Sequence, residues 1–67
     1  MPRVSLEAVR VNAGKTQKEW AKMIGVTNTT VVNWESGKTE PSLSQVRKMS
    51  EFSGIPIDYI YSPAISK

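Results

Sequence analysis

The stretch Gln17 to Ser36, QKEWAKMIGVTNTTVVNWES, restricts the chain to very few folds. It reads as two short helices joined by a tight turn. Thr16-x-x-Glu19 is a capping box: the threonine hydroxyl takes a free backbone N–H and the glutamate returns a bond to the threonine backbone. Trp20, Ala21 and Ile24 then share one helical face, which must be buried. Ala21 is small where a bulkier side chain would hold a second helix away. Gly25 suits the left-handed conformation that ends a helix sharply, and Val26 plugs the turn. Thr27 is a good N-cap for a helix running from about Asn28 to Ser36 and stopping at Gly37.

At about 100° per residue, Val31 and Trp34 of that second helix point inward. Asn28, Thr29, Val32, Asn33 and Ser36 point outward. This outer face has neither lysine nor glutamate, whereas a solvated helix face usually carries both. Its amides, hydroxyls and one valine match base edges in a DNA major groove. Asparagine bonds adenine at two points, and a valine or threonine methyl can meet the thymine methyl.

The spacing of Ala21, Gly25, Val26, Val31 and Trp34 resembles the helix-turn-helix family. More narrowly, Gln17, Trp20-Ala21, Gly25-Val26, Val31, Trp34-Glu35, Gly37 and Pro41 resemble the Cro/CI (Xre) class of phage and bacterial regulators, from about Leu6 to Ile60. The resemblance implies an all-α, lambda-repressor-like bundle of five short helices, with the helix-turn-helix at helices 2 and 3. It aligns Asn28, Thr29, Val32 and Asn33 with base-contacting positions, whose identities vary between members. It sets Gln17 against a DNA phosphate. Backbone N–H groups at that helix start also suit an anion. Lys38, Thr16, Thr27 and Ser36, at or just past helix ends, are further phosphate candidates; Lys15 and Lys18 are weaker ones. Arg10 at the edge of helix 1 and Glu35 near the inward side of helix 3 are expected to form a partly buried ion pair, as their family counterparts do. The family often pairs through its C-terminal region, so Ile57 and Tyr59 are candidate dimer contacts.

The chain has 67 residues, room for one domain, with a core over about 5–61 and a tail at 62–67. A domain of this size buries only ~60% of its unfolded surface; dimerisation or DNA binding would add stability. The net charge of +3 and a pI near 9.5 favour an anionic partner. With no cysteine and no histidine, disulfides, thiolate metal sites and the usual general base are excluded. No cofactor or metal is expected. The first ten residues lack an apolar signal region, and no run is long enough to span a membrane. The expectation is a cytoplasmic protein with no membrane partner.

Ser5 can cap a first helix to about Asn12, with Leu6 and Val9 inward and Gly14 at its end. After the loop Lys38-Thr39-Glu40-Pro41, Ser42-x-x-Gln45 forms a second capping box. The fourth helix extends to about Ser53, with Leu43, Val46, Met49 and Phe52 in helical spacing, and Gly54 closes it. A short fifth helix is expected after Pro56, with Ile57 and Ile60 packing and Asp58 favouring its N-terminal dipole. Pro56 offers no side-chain cap. No β signal competes.

Trp20 and Trp34 stand at core spacing, which marks them as packing residues rather than ligand-stacking ones. Gly14-Lys15-Thr16 and Gly37-Lys38-Thr39 echo the end of a phosphate-binding loop, but Val9 and Val32 occupy the earlier glycine position. Asn28-Thr29-Thr30 is a formal glycosylation sequon without a secretion signal. No carboxylate pair or nucleophile–base pair is evident, so an enzyme is not expected. Two function classes fit. One is a sequence-specific regulator binding double-stranded DNA as a weak homodimer on a near-palindromic operator. The other is a protein-interaction module using the same fold, for which an acidic or strongly apolar third-helix face would be expected.

Overall fold

A computed structural model of the chain describes residues 4–60. Four α-helices follow one another: α1 Leu6–Asn12, α2 Gln17–Ile24, α3 Asn28–Ser36 and α4 Leu43–Ser53. The tail 62–67 and Tyr61 lie outside the described residues. Among the described residues no helix is long and apolar enough to cross a membrane.

Local chemistry sets the helix ends. The Ser5 hydroxyl accepts the Ala8 N–H at 3.1 Å and starts α1. Both expected capping boxes close: Thr16 with Glu19 at α2, and Ser42 with Gln45 at α4. Each satisfies N–H groups that a helix start leaves without intrahelical partners.

The expected fifth helix is a single 3-10 turn, Ile57–Tyr59. Pro56 gives it no side-chain cap, and its two bonds are Tyr59 N–H to Pro56 O and Ile60 N–H to Ile57 O. The backbone then turns extended at Ile60, which is fully buried. There Ile60 forms an isolated parallel bridge with Val4, and the Val4 N–H donates to Tyr59 O at 2.6 Å. No sequence signal announces this pairing, which a tertiary contact creates.

The core draws on all four α-helices and on Ile60: Leu6 and Val9 from α1, Trp20, Ala21 and Ile24 from α2, Val31 and Trp34 from α3, and Val46 and Met49 from α4. Pro41 is also fully buried and fixes the approach to α4. Leu43 and Phe52 differ from the expected apolar stripe of α4, being 45% and 43% exposed. Val46 and Met49 hold the centre of that stripe, and the 100° step carries Leu43 and Phe52 to its opposite edges. Phe52 still meets the Trp20 ring edge-on, with centroids 6.2 Å apart and planes at 73°, an attractive aromatic geometry. Two bonds tie α4 to its neighbours: Lys48 Nζ donates to the Ile24 carbonyl at 3.2 Å, and Asn12 Nδ2 to the Ser53 carbonyl at 3.1 Å.

Candidate nucleic-acid interface

The turn between α2 and α3 rests on one residue's backbone. Gly25 sits at φ 94°, ψ 33°, and its N–H donates to Ala21 O at 2.8 Å. Val26 N–H donates to the same carbonyl at 2.9 Å. Two donors on one carbonyl reverse the chain within two residues. Val26 packs against the core, and Ala21, only 3% exposed, lets α3 cross close to α2. Thr27 then turns extended and accepts the Thr30 N–H at 3.2 Å, which starts α3.

On α3, Val31 and Trp34 are buried. Asn28, Thr29 and Ser36 are exposed, Val32 is 37% exposed, and Asn33 is partly exposed. The structure therefore brings Asn28, Thr29, Val32 and Asn33 onto the solvent side of one nine-residue helix. No acidic residue stands in its first turn and no basic one in its last. The outer side thus offers hydrogen-bonding groups and methyls without fixed charge.

The residues at the helix ends are engaged to different degrees. The Thr16 hydroxyl accepts the Glu19 N–H at 3.1 Å and is thus engaged within its own capping box. The Thr27 hydroxyl lies 2.9 Å from that of Thr30, so one of the pair donates to the other. Ser36 Oγ donates back to Asn33 O at 3.1 Å. The Lys38 backbone N–H also reaches Asn33 O, at 2.9 Å. Its side chain is exposed and makes no ion pair among the described residues.

Beneath the helix pair lies a polar knot. Arg10 Nε donates to Glu35 Oε2 at 2.8 Å, and Arg10 Nη2 to Oε1 at 3.3 Å. The two side chains are 13% and 8% exposed. Arg10 Nη1 donates to the Lys15 carbonyl at 2.8 Å. Gln17 Nε2 donates to Glu35 Oε1 at 3.0 Å. One guanidinium and one carboxylate thus bind α1, the start of α2 and the end of α3 together. Charge-assisted bonds of this kind are shorter and stronger than neutral ones.

The sequence does not announce the Gln17–Glu35 bond; the resemblance gives Gln17 only a phosphate as its expected contact. Its partner lies 18 residues away, and no local pattern marks the pair. One amide hydrogen of Gln17 is held by Glu35, so the other is the one available to a ligand. The Lys48 bond to the end of α2 had no sequence signal either, because a tertiary contact creates it. A cation there complements the partial negative charge of a helix C-terminus.

Electrostatics at the start of α2 favours negative charge. The Glu19 carboxyl is held below the usual carboxylate range, first by the Thr16 backbone N–H, then by the Thr16 hydroxyl, with nearby Lys15 assisting and slight desolvation opposing. No group of three or more potential metal ligands occurs among the described residues. A cleft of about 270 Å³ lies between α1 and the end of α3, lined by Ser5, Trp34, Glu40 and Pro41 among others. None of the four outward α3 residues lines it.

A helix-turn-helix family model matches residues 6–60. The cryptic phage CTXphi transcriptional repressor RstR of Vibrio cholerae is 37% identical over 54 residues, covering 81% of this chain and 49% of that protein. The HTH-type transcriptional activator BcrR of Enterococcus faecalis is 32% identical over 57 residues, covering 85% of this chain and 28% of that protein. An uncharacterised HTH-type transcriptional regulator of Methanocaldococcus jannaschii is 39% identical over 46 residues, covering 69% of this chain and 70% of that protein. The chain thus spans between about a quarter and a half of RstR and BcrR. No solved structure gives a significant match. With a capped α2, a glycine turn, a buried Val31–Trp34 stripe and a matching model across all four helices, the chain belongs to the helix-turn-helix family of the Cro/CI (Xre) type.

Proposed function

We propose that the protein is a sequence-specific transcriptional regulator that binds double-stranded DNA. The observation that carries this reading is the outer side of α3: Asn28, Thr29, Val32 and Asn33 stand toward solvent on a helix without charge there. In this reading α3 enters the major groove and those four residues meet base edges. Gln17, Lys38, Thr16, Thr27 and Ser36 contact phosphates, which set register and affinity rather than sequence choice. The polar knot of Arg10, Glu35 and Gln17 fixes α3 against α2, so that readers and phosphate anchors keep one geometry.

The protein binds as a homodimer to a near-palindromic operator, with the two α3 helices in successive major grooves about 34 Å apart. Ile57 and Tyr59 stand in the contact between copies. Repression by occupancy of an overlapping promoter is the simplest consequence, and RstR is named a repressor. Selection of sites from a random duplex pool tests the reading and returns the half-site and its spacing. Affinity for the recovered duplex should fall steeply between about 50 and 200 mM salt, since each neutralised phosphate releases counterions. Failure to enrich any site, with salt-indifferent binding, would replace this reading by a protein-interaction module.

A further inference from the structure

The face of α4 turned away from the core carries opposite charges that the fold leaves unused. Arg47 and Glu51 are exposed and stand one helical turn apart. Among the described residues the ion pairs are those of Arg10 with Glu7 and with Glu35. Neither Arg47 nor Glu51 is therefore neutralised within the described chain. Together with Ser50 and Ile57 they line an open groove of about 260 Å³ between α4 and the 3-10 turn. Leu43, one turn before Arg47, is 45% exposed and extends the same side of the helix. The far wall is fixed in place: Ser50 Oγ donates to Ile55 O at 2.7 Å, and Ile55 N–H donates to Ser53 Oγ at 3.2 Å.

We infer that this groove is the self-complementary contact between two copies of the chain, with Arg47 of one copy facing the partner's Glu51 and Glu51 facing the partner's Arg47. The inference rests on the two-copy binding mode proposed above and names the pairs that hold it. A two-fold axis exchanges residue i with residue j across an interface. A plus and a minus one turn apart on one helix meet that demand, because antiparallel approach of two α4 helices brings each onto its complement. Leu43 and Ile57 give the contact its apolar part.

Size supports a small contact of this kind. The Cα extents are 29 × 23 × 18 Å, against about 34 Å between half-site centres. Bodies of this size set that far apart can share only a limited contact area. A small contact depends on charge complementarity for register more than on buried area. Such pairing shows as cooperativity on DNA before it shows as a dimer in solution.

The test mixes two variants, Arg47→Glu and Glu51→Arg, on a duplex carrying two half-sites recovered by selection. Each variant alone sets like charges against each other across the two-fold, and cooperative binding should weaken about tenfold. An equimolar mixture restores cross-copy pairing of opposite charges and should recover parental cooperativity to within about twofold. Binding to a duplex with a single half-site should not change for any of them, which shows that folding and DNA reading are intact. Variants that keep parental cooperativity, or a mixture that behaves as the average of its components, would overturn the inference, because an Arg47–Glu51 pair within one helix cannot be repaired in trans. If no duplex is recovered at all, the DNA reading fails separately. Sedimentation equilibrium, run at protein concentrations high enough for the parent chain to associate, then decides the contact by itself: stronger association in the mixture than in either variant supports it, and equal association overturns it.

Discussion

Arg10 Nε and Glu35 Oε2 meet at 2.8 Å across 25 residues of chain, joining the first helix to the third. Both side chains are nearly out of solvent, and Gln17 adds a third donor to the same carboxylate. Removing one partner of such a pair leaves the other charged and unpaired. Glu35→Gln should therefore cost about 3 kcal/mol in urea unfolding. The double variant Arg10→Met, Glu35→Leu should recover much of that loss, since apolar replacement of a buried pair is often neutral. A single variant melting within a degree or two of the parent would show that the pair contributes little.

Gly25 gives a cleaner backbone test. Its φ of 94° is strained for any L side chain, and a Cβ added there meets nothing within 4 Å. The cost of Gly25→Ala is thus conformational and should be about 1–2 kcal/mol. Gly25→Asn should cost less, because asparagine visits the left-handed region more readily. Denaturant midpoints with unchanged m-values check both. An alanine variant as stable as the parent would show that the turn relaxes freely.

Glu19 makes stability depend on pH in a stated direction. Its folded carboxyl lies below the usual range because Thr16 donates to it. The stabilisation is present above the unfolded-state pKa and is lost as pH falls through the folded-state one. Acidification below the ordinary carboxylate range should therefore destabilise the parent more than Glu19→Gln, whose amide keeps the bond without titrating. Unfolding curves measured between about pH 5 and pH 2 compare the two. Parallel acid limbs would show that Glu19 contributes nothing to the pH dependence.

The proposed DNA contacts divide by the kind of effect each should show. Lys38→Ala should weaken binding evenly across sequences and reduce the salt slope by about 1. Asn28→Ala or Asn33→Ala should instead relax preference at one base position, by about 1–3 kcal/mol. Repeating the site selection with each variant separates the two. Unchanged selectivity for both asparagine variants would mean that other residues read the operator.

Most helix boundaries are readable in the sequence because caps act within four residues. Thr16 with Glu19 and Ser42 with Gln45 set helix starts by bonds that a local pattern announces. Gly25 and Gly37 set ends for the same reason. The stripe of Trp20, Ala21, Ile24, Val31 and Trp34 follows from periodicity alone. What depends on distant neighbours is not readable. Leu43 and Phe52 keep helical spacing, but how deeply they lie depends on what packs beside α4. The amide of Gln17 turns toward Glu35 because the fold brings it there. After Pro56 the sequence carries helical spacing without a cap, and the backbone settles for one 3-10 turn before pairing with Val4.

That pairing sets Val4 beside Ile60, running in the same direction. The first and last of the described residues therefore lie side by side. Insertion of the domain into a surface loop of another protein should therefore leave its core closed. A flexible tether from Ile60 back to Val4 gives a circular permutant, with new termini in the exposed Lys38–Glu40 loop.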